Sequence, residues 1–383
     1  MRAPDVALVA PFPARGERHG GWTGVASYSA NLAGALRDEG ARVSVLASVE
    51  DGEPGVVRDG GIEVRRVWRR GPLALPAATV AARDTGAAVV HVQHELFLYG
   101  GAAAVPAVVP ALAALRGRRA VVTMHHVVDP AAVDASFTET HRVRVPAPIV
   151  RAGVTAVQRT IPALADAVVV HEPAFAGVIR GAAVVPHGIE ADRLPDGRDR
   201  LAARAELGVQ DDLCVLCFGY LAPYKGLEAA LGAARLARDG VRLVVAGGAH
   251  PRVGQGYSRA LQAAAPRNVR FTGFVADRDV ARWFTAADVV LLPYPRPFAS
   301  SGPLALALAH RTPVLLSRAL AWVTGAPGAL AVGVDPAAIA GRLRELAADR
   351  TELAALSAAS AAFARGRSWP EIARRHLELY GVR

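Results

Sequence analysis

The sequence predicts an α/β protein with two doubly wound, Rossmann-like domains. Three observations support this prediction: a length of 383 residues, an apolar fraction of 52%, and two series of short apolar runs that alternate with helical patterns. A chain of this length fits two domains of roughly 150–200 residues better than one. Strands that alternate with helices form parallel sheets, because a parallel neighbour is reached only through a crossover connection.

The first half opens with a strand, a loop, a helix and a second strand. An apolar run at Val6–Ala10 precedes a glycine- and proline-rich loop, helical spacing over Gly24–Glu39, and another run at Val43–Ala47. Gly40 suits the position after a helix C-terminus. The further strands predicted in this half are Ala87–Val92, Ala120–Met124, Ala167–Val170 and Val184–Val185.

The second half repeats the alternation of strands and helices. Its predicted strands are Leu213–Phe218, Val241–Ala246, Val269–Phe271, Val289–Leu292 and Pro313–Leu316. Its predicted helices are Leu227–Arg238, Asp277–Ala286 and Leu304–His310. This order predicts a second doubly wound domain.

A charged stretch at residues 189–212 lacks a strand pattern and separates the two halves. We therefore predict an N-terminal domain over residues 1–190, a C-terminal domain over residues 191–366, and a final helix over residues 367–383. Two such domains facing across a cleft would bind ligands at the carboxyl ends of their strands.

The composition bears on the location and the partners of the protein. No apolar stretch reaches the roughly 18–20 residues of a membrane span, and no signal-peptide pattern precedes the first strand, so we predict a cytoplasmic protein. The net charge is +10, but its basic clusters are scattered and no nucleic-acid-binding motif is present, so nucleic acid is not a predicted partner. A solvated, arginine-rich surface explains the charge best, although peripheral contact with the inner face of a membrane would also suit it.

Cysteine and histidine give no pattern of a metal site. Cys214 and Cys217 have a C-x-x-C spacing, but they lie in a predicted buried strand, where cysteine behaves as a small apolar residue. Histidines stand at the ends of three predicted strands, without the spacing of metal ligands. They are His91, His94, His125, His126 and His171. We interpret them as a polar wall at the edge of the first sheet.

Lys225 is the only lysine among the 44 lysine and arginine residues. It follows the predicted strand Leu213–Phe218. Arginine cannot easily replace a compact ammonium that faces a phosphate, because its planar fork has a different geometry. Chance retention of the lysine at a turn is the alternative.

Three segments rich in glycine or serine lie between predicted strands and helices. Their predicted ligand-binding residues are Gly21 and Gly24, Gly247 and Gly248, and Ser300, Ser301 and Gly302. Backbone N–H groups in such segments can approach an anion, and a helix N-terminus favours negative charge. Each segment also suits an ordinary tight turn or helix cap. Together with Lys225, the segments predict a diphosphate ligand.

These residues together resemble the retaining GT-B glycosyltransferases of the large E-x7-E group, in its mannosyltransferase-like branch. The resemblance covers nearly the whole chain. The similar segments are Gly24–Tyr28, Gly40–Val45, His94-Glu95, Val184–Glu190, Phe218–Gly226, Asn268–Phe274, Ala287–Pro293, Thr312–Val314 and Ser368–Ala373. The resemblance implies a final helix that crosses back to the first domain and a donor that binds the second domain.

The resemblance also implies an activity. A hexosyl group would pass with retention from a nucleotide-diphospho sugar, GDP-mannose or a UDP-hexose, to a hydroxyl group of a glycan, lipid-linked or small-molecule acceptor. No metal or other cofactor is implied. Lys225 would neutralise the departing diphosphate, His94 would orient the transferred sugar, and His125 would line the acceptor side. The further donor-binding positions implied are Tyr220, Gly273 and Phe274.

Three positions depart from the pattern of that family. Tyr220 stands in place of an arginine, and Phe298 and Leu306 stand in place of the two glutamates. Because leucine cannot bind a ribose, three alternatives stay open: the ribose contacts come from elsewhere, for example from the turn at Ser300–Gly302, or donor affinity is weaker, or activity is lost. The departures leave open a non-catalytic protein that binds a sugar nucleotide or glycan. A sugar-nucleotide epimerase or a sugar phosphorylase of the same fold suits the order of motifs less well.

Overall fold

The computed structural model describes residues 3–17, 23–140, 143–190, 197–209, 212–250, 253–297 and 300–381. The chain forms two compact units. The first comprises Met1–Gly188, Phe298–Ser300 and Gly366–Arg383, and the second comprises Ile189–Pro297 and Ser301–Arg365. Each unit has its own sheet and its own apolar core, so the predicted α/β fold class is confirmed.

The first unit is built on a mostly parallel sheet. Its strands are β1 (Val6–Val9), β2 (Val43–Ser48), β3 (Val56–Asp59), β4 (Ile62–Trp68), β5 (Val89–His94), β6 (Arg119–Met124), β7 (Ala167–Val170) and β8 (Ala183–Val184). Their order is β3-β4-β2-β1-β5-β6-β7-β8, and β3 is antiparallel to β4. The other pairs are parallel, so the carboxyl ends of these strands share one edge.

Burial explains which strands the sequence predicts. Every residue of β1, β2 and β5 is buried, and strands buried on both faces are read as continuous apolar runs. The hairpin of β3 and β4 is absent from the prediction. Glu63, Arg65 and Arg66 interrupt the apolar residues of β4, so its pattern is not that of a central strand.

Seven α-helices belong to the described part of the first unit. They are α1 (Gly24–Asp38), α2 (Ala74–Asp84), α3 (Val108–Ala113), α4 (Ala135–Thr140), α5 (Ala147–Leu164), α6 (Pro173–Val178) and α15 (Trp369–Tyr380). Helix α15 packs on α1, where Trp369 and Ile372 share an apolar core with Tyr28 and Leu32. The final helix therefore packs on the first domain, as predicted.

The second unit is built on a wholly parallel sheet. Its strands are β9 (Leu213–Phe218), β10 (Val241–Ala246), β11 (Val269–Gly273), β12 (Val289–Leu292), β13 (Val314–Ser317) and β14 (Ala331–Val332). Their order is β11-β10-β9-β12-β13-β14. Successive strands are added toward one side of the sheet from β9 to β11 and toward the other side from β12 to β14. Doubly wound sheets bind ligands at such a switch point, which here lies between β9 and β12.

Helices alternate with these strands along the chain. They are α7 (Gly197–Leu207), α8 (Leu227–Ala237), α9 (Gln255–Ala263), α10 (Asp277–Ala286), α11 (Gly302–Ala309), α12 (Arg318–Thr324), α13 (Pro336–Ala348) and α14 (Arg350–Ala364). Helix α7 lies in the charged stretch between the two halves. Over the residues that the structure describes, no helix combines the length and the apolar character needed to cross a bilayer.

Candidate functional site

Lys225 lies buried at the carboxyl edge of the second sheet. It ends a short 3-10 turn, Pro223–Lys225, between β9 and α8, and it is 7% exposed. Its Nζ donates a hydrogen bond to the Phe218 carbonyl at 3.2 Å and lies 6.0 Å from the centre of the Tyr294 ring. Within the described residues, no carboxylate forms a salt bridge with Lys225.

The buried charge makes Lys225 a candidate for anion binding. Burial lowers the pKa of Lys225 to about 8, and the Cys217 thiol opposes this shift only partly. A buried ammonium without a counter-ion is costly, so an anion at Nζ would be bound strongly and would raise that pKa. The Cys217 thiol is not that anion, because burial raises its pKa to about 12.

Two glycines let the backbone approach this lysine closely. Gly219 has φ +100°, and a Cβ at this position would collide with Lys225 Nζ. A Cβ at Gly247 would collide with the Gly219 carbonyl. The exits of β9 and β10 therefore lie closer together than any side chain would permit.

The N-terminus of α11 lies beside the same exit. A Cβ at Gly219 would be 3.4 Å from Cγ of Pro303, in the first turn of α11. Ser301 caps the helix, because its Oγ accepts a hydrogen bond from the Leu304 N–H at 3.3 Å. Pro303 has no N–H, so the Gly302 N–H and the positive end of the helix dipole are what this turn presents to an anion.

Aromatic side chains lie at the same edge. Tyr220 is 47% exposed and Phe274 is 72% exposed. His250, which follows β10, meets Tyr220 edge-on, with ring centres 5.8 Å apart. A Cβ at Gly248 would lie 3.4 Å from Cβ of Phe274, which places the exits of β10 and β11 side by side. Exposed rings at strand exits are surfaces on which a nucleobase can stack.

The second unit thus gathers most of the predicted donor-binding residues at one edge. They are Tyr220, Lys225, Gly247, Gly248, Gly273, Phe274, Ser301 and Gly302. Gly24 and Ser300 belong to the first unit. Gly21 and Phe298 lie outside the described residues. Leu306 lies on α11 and packs against the apolar core of the second unit.

His94 ends strand β5 and lines a small cavity in the first unit. It is 4% exposed, and its Nδ1 makes no hydrogen bond to the described residues. Leu75, Glu95 and Tyr99 also line the cavity. Burial, assisted by His126, lowers the pKa of His94 to about 4, so the ring is neutral near pH 7. Nδ1 is therefore a buried ring nitrogen without a hydrogen-bond partner among the described residues.

His125 belongs to a buried chain of hydrogen bonds. Its Nε2 lies 2.8 Å from Gln93 Oε1, and its Nδ1 lies 3.2 Å from His171 Nε2. The chain continues from Gln93 to His91 over 3.1 Å, and from His91 to Tyr380 of α15 over 2.6 Å. Both ring nitrogens of His125 are therefore engaged within the first unit. The predicted roles of His94 and His125 toward sugar and acceptor stay predictions.

Two residues at the edge of the second sheet are absent from the prediction. Tyr294 lies close to Lys225, and His250 lies against Tyr220. Tyr294 stands two residues after the end of β12, and His250 stands two residues after the glycine pair Gly247–Gly248. The rule that ligands bind at the carboxyl ends of parallel strands would have found both.

Within the described ranges, no group of three or more histidine, cysteine, aspartate and glutamate side chains is arranged to hold a metal ion. Cys214 and Cys217 are free and buried in β9. Their burial fits the interpretation of these cysteines as small apolar residues.

Two family models match the chain, one in each half. Residues 22–193 match the model described as Glycosyltransferase Family 4, and residues 212–349 match the model described as Glycosyl transferases group 1. The chain therefore carries two glycosyltransferase domains.

Curated relatives share part of their length with this chain. A D-inositol 3-phosphate glycosyltransferase of Streptomyces avermitilis is 34% identical over 237 residues, which are 56% of this chain and 49% of the relative. A protein of the same name from Streptomyces scabiei is 35% identical over 52% of this chain and 48% of the relative. The match thus spans about half the length of these relatives.

Solved structures match the fold over the whole chain. Sucrose-phosphate synthase from Thermosynechococcus elongatus has a TM-score of 0.72 at 20% identity and covers 99% of this chain and 98% of its own. HepE from Anabaena, solved with UDP and glucose, has a TM-score of 0.69 at 16% identity and covers 99% of both chains. The fold is that of the GT-B glycosyltransferases.

Proposed function

From a chain that carries two glycosyltransferase domains, we propose an enzyme that transfers a hexosyl group from a nucleotide-diphospho sugar to a hydroxyl acceptor. The observation that carries the proposal is the buried ammonium of Lys225, which has no carboxylate partner among the described residues and lies beside the first turn of α11. A diphosphate would supply the missing negative charge.

The proposed chemistry places charge stabilisation at Lys225. The bond between the anomeric carbon and the diphosphate oxygen breaks, and negative charge develops on the leaving diphosphate. Lys225 Nζ and the Gly302 N–H would stabilise that charge. We propose retention of configuration, in which the acceptor hydroxyl attacks from the face that the diphosphate leaves. The leaving phosphate then accepts the proton of that hydroxyl.

The names of the relatives supply candidate substrates. HepE was solved with UDP and with UDP-glucose, and the curated relatives are named for D-inositol 3-phosphate. UDP-glucose is therefore the first donor to test, and GDP-mannose is the second because of the resemblance described above. D-inositol 3-phosphate is the first acceptor to test.

The test of the proposal is thermal unfolding in the presence of UDP, GDP or ADP. A nucleotide at about 100 times its Kd stabilises the folded state by about 2.7 kcal/mol, which should raise Tm measurably. We expect one nucleotide to raise Tm, and the substitution Lys225→Ala to abolish the shift. Arg259→Ala removes an exposed cation from α9 and should leave it unchanged. Absence of a shift with all three nucleotides would contradict the proposal.

Leu306 supports a second candidate function, namely binding of a sugar nucleotide without transfer. Its side chain packs into the apolar core of the second unit and offers no hydrogen bond to a ribose. The two functions differ in the fate of the donor. A chain that gains stability from a nucleotide, yet leaves UDP-glucose and GDP-mannose intact with every acceptor, is a binding protein.

A further inference from the structure

Tyr294 is a buried aromatic residue to which the proposed chemistry gives no role. It follows β12 and is 7% exposed. The Nζ atom of Lys225 lies over its ring, 6.0 Å from the ring centre. An aromatic ring attracts a cation above its face within about 6 Å, and the attraction is larger where water is excluded. Because Lys225 is also 7% exposed, the pair is largely shielded from water.

The backbone brings the two residues together, because the exits of β9 and β12 pack closely. Gly226, next to Lys225, has φ +64°. A Cβ at this glycine would collide with the Pro293 carbonyl oxygen and would lie 3.2 Å from Cδ of Pro295. Pro293 and Pro295 flank Tyr294 in the sequence. The turn that carries Lys225 therefore packs directly on the segment that carries Tyr294, with no room for a side chain between them.

Further contacts hold Tyr294 in place. The Ser317 hydroxyl donates a hydrogen bond of 2.6 Å to the Tyr294 carbonyl. Ser317 is itself fixed, because its Oγ accepts a hydrogen bond from the Leu320 N–H at 3.0 Å and so caps α12. The Tyr224 ring meets the Tyr294 ring edge-on, with ring centres 6.4 Å apart. The face of Tyr294 is therefore held toward Lys225 by its surroundings.

The titratable groups around Lys225 supply no negative charge. Burial raises the pKa of the Cys217 thiol to about 12, and burial also raises the pKa of the Tyr224 and Tyr294 hydroxyls, so all three are neutral near pH 7. Glu228, in the first turn of α8, is exposed to solvent, and the first turn of α11 has no titratable side chain. Among the described residues, the ammonium is thus stabilised by one backbone carbonyl and one aromatic face.

We infer that Tyr294 is a positioning residue for Lys225, whose ammonium its ring face keeps charged until a diphosphate binds. A carboxylate in this place would form a salt bridge with the ammonium and would repel the phosphates. An aliphatic side chain would leave the buried charge without this stabilisation. The ring face attracts the cation and carries no net charge that competes with a phosphate. This inference rests on the proposed function, in which Lys225 binds the diphosphate.

The pH dependence of nucleotide affinity in two variants tests the inference. Tyr294→Leu removes the ring face, and Tyr294→Phe keeps the face without the hydroxyl. The ligand is whichever of UDP, GDP and ADP raises the Tm of the wild type. Its affinity is measured by isothermal titration calorimetry between pH 7 and pH 10, a range in which the terminal phosphate, whose pKa is about 6, is already ionised.

We expect the affinity of Tyr294→Leu to fall at a lower pH than the affinity of the wild type. Without the ring, the ammonium loses its proton more easily, so the midpoint should move down by about 0.5 to 1.5 pH units. Tyr294→Phe should keep the midpoint of the wild type. A merely structural role would weaken binding equally at every pH. The control is Tyr257→Leu, which changes a tyrosine of α9 in the same unit and should leave the midpoint unchanged.

The failure of this inference can be told apart from the failure of the proposed function. If the wild type binds a nucleotide and Tyr294→Leu has the same midpoint, or Tyr294→Phe shifts as far as Tyr294→Leu, the inference is wrong and the proposed function stands. If no nucleotide stabilises the wild type, both are wrong. If Tyr294→Leu fails to fold, a trifluorinated phenylalanine at position 294 decides, because it keeps the shape of the ring and weakens the negative potential of its face. An unchanged midpoint with that residue would overturn the inference.

Discussion

At Lys225, the charge of one side chain and its burial oppose each other. The ammonium is 7% exposed and, among the residues that the structure describes, donates one hydrogen bond, to the Phe218 carbonyl. Burying an ammonium without a counter-ion lowers the free energy of unfolding, so a neutral residue at this position would make the folded protein more stable. Such a cost is typical of functional positions, and it makes the charge state of Lys225 accessible to a simple titration.

We expect the affinity for the nucleotide diphosphate to fall as pH rises through about 8. The ammonium form binds the diphosphate, and burial lowers the pKa of Lys225 to about 8 in the free protein. Binding should therefore be about tenfold weaker near pH 9 than near pH 7. Isothermal titration calorimetry at both pH values measures the change. A flat profile in the wild type would show that Lys225 does not bind the phosphates.

Lys225→Arg separates charge from geometry at the same site. The guanidinium keeps the charge, but its planar fork cannot occupy the narrow space beside Gly219. We expect nucleotide binding to weaken and turnover to fall by about 100-fold, the loss typical of one strong donor to a transition state. Wild-type turnover in this variant would contradict the role given to the ammonium.

One aspartate links helix α7 to the second sheet through hydrogen bonds. Asp288 precedes β12 and accepts hydrogen bonds from Arg200 at 2.6 Å and Arg204 at 2.7 Å. It also accepts a bond from the backbone N–H of Cys214 at 2.8 Å. The charged stretch that the sequence marks as a junction is therefore tied to the beginning of the sheet, on the edge opposite to the candidate site.

Asp288→Asn should destabilise the second unit by about 3–5 kcal/mol, because it removes the carboxylate charge that balances the buried Arg204 guanidinium. Arg204 is 9% exposed, so solvent does little to compensate. Urea unfolding followed by tryptophan fluorescence measures the change. Asp239→Asn alters an exposed aspartate of the same unit and should have little effect. Equal stability of the two variants would show that the ion pairs contribute nothing.

On the scale of the molecule, buried histidines set the tolerance of the first unit to acid. Burial is the main cause that lowers the pKa of each of six histidines. They are His91, His94, His125, His171, His187 and His376. Because each folded pKa lies below the unfolded value, these residues favour folding above about pH 6.5 and lose that contribution as the pH falls.

We expect the first unit to lose stability between about pH 6.5 and pH 4, by up to about 1.4 kcal/mol per pH unit for each histidine involved. His376→Leu removes one titrating group, whose pKa burial lowers to about 4. The Tm of this variant should therefore fall less steeply than the Tm of the wild type as the pH is lowered. Calorimetry at several pH values measures both slopes. Parallel slopes would show that His376 does not contribute.

The sequence predicts the buried parts of this fold better than its edges. Every predicted strand and helix is present with small differences in its bounds, because strands covered on both faces carry unbroken apolar runs. The β3–β4 hairpin escapes prediction because Glu63 and Arg65 point away from the core of the first unit. Apolar periodicity records burial, and β3 and β4, at one end of the sheet, are only partly buried.

The candidate site divides in a similar way. Lys225 can be found from the sequence because it is unique, and the residues around it follow strands of one sheet. Lys225 and Tyr294 are 69 positions apart, and no local sequence pattern predicts that their side chains lie close together. A short motif can predict one strand exit, but only the folded chain shows which side chains of two exits meet.

The packing of α15 on α1 affects the order in which the protein folds during its synthesis. A ribosome releases α1 early, but Trp369 and Ile372, which cover Tyr28 and Leu32, follow more than 300 residues later. The second unit is made between these events, so it can close its core first. The domain that is begun first is thus completed last. Until then, the apolar face of α1 is a surface that chaperones would bind on the nascent chain.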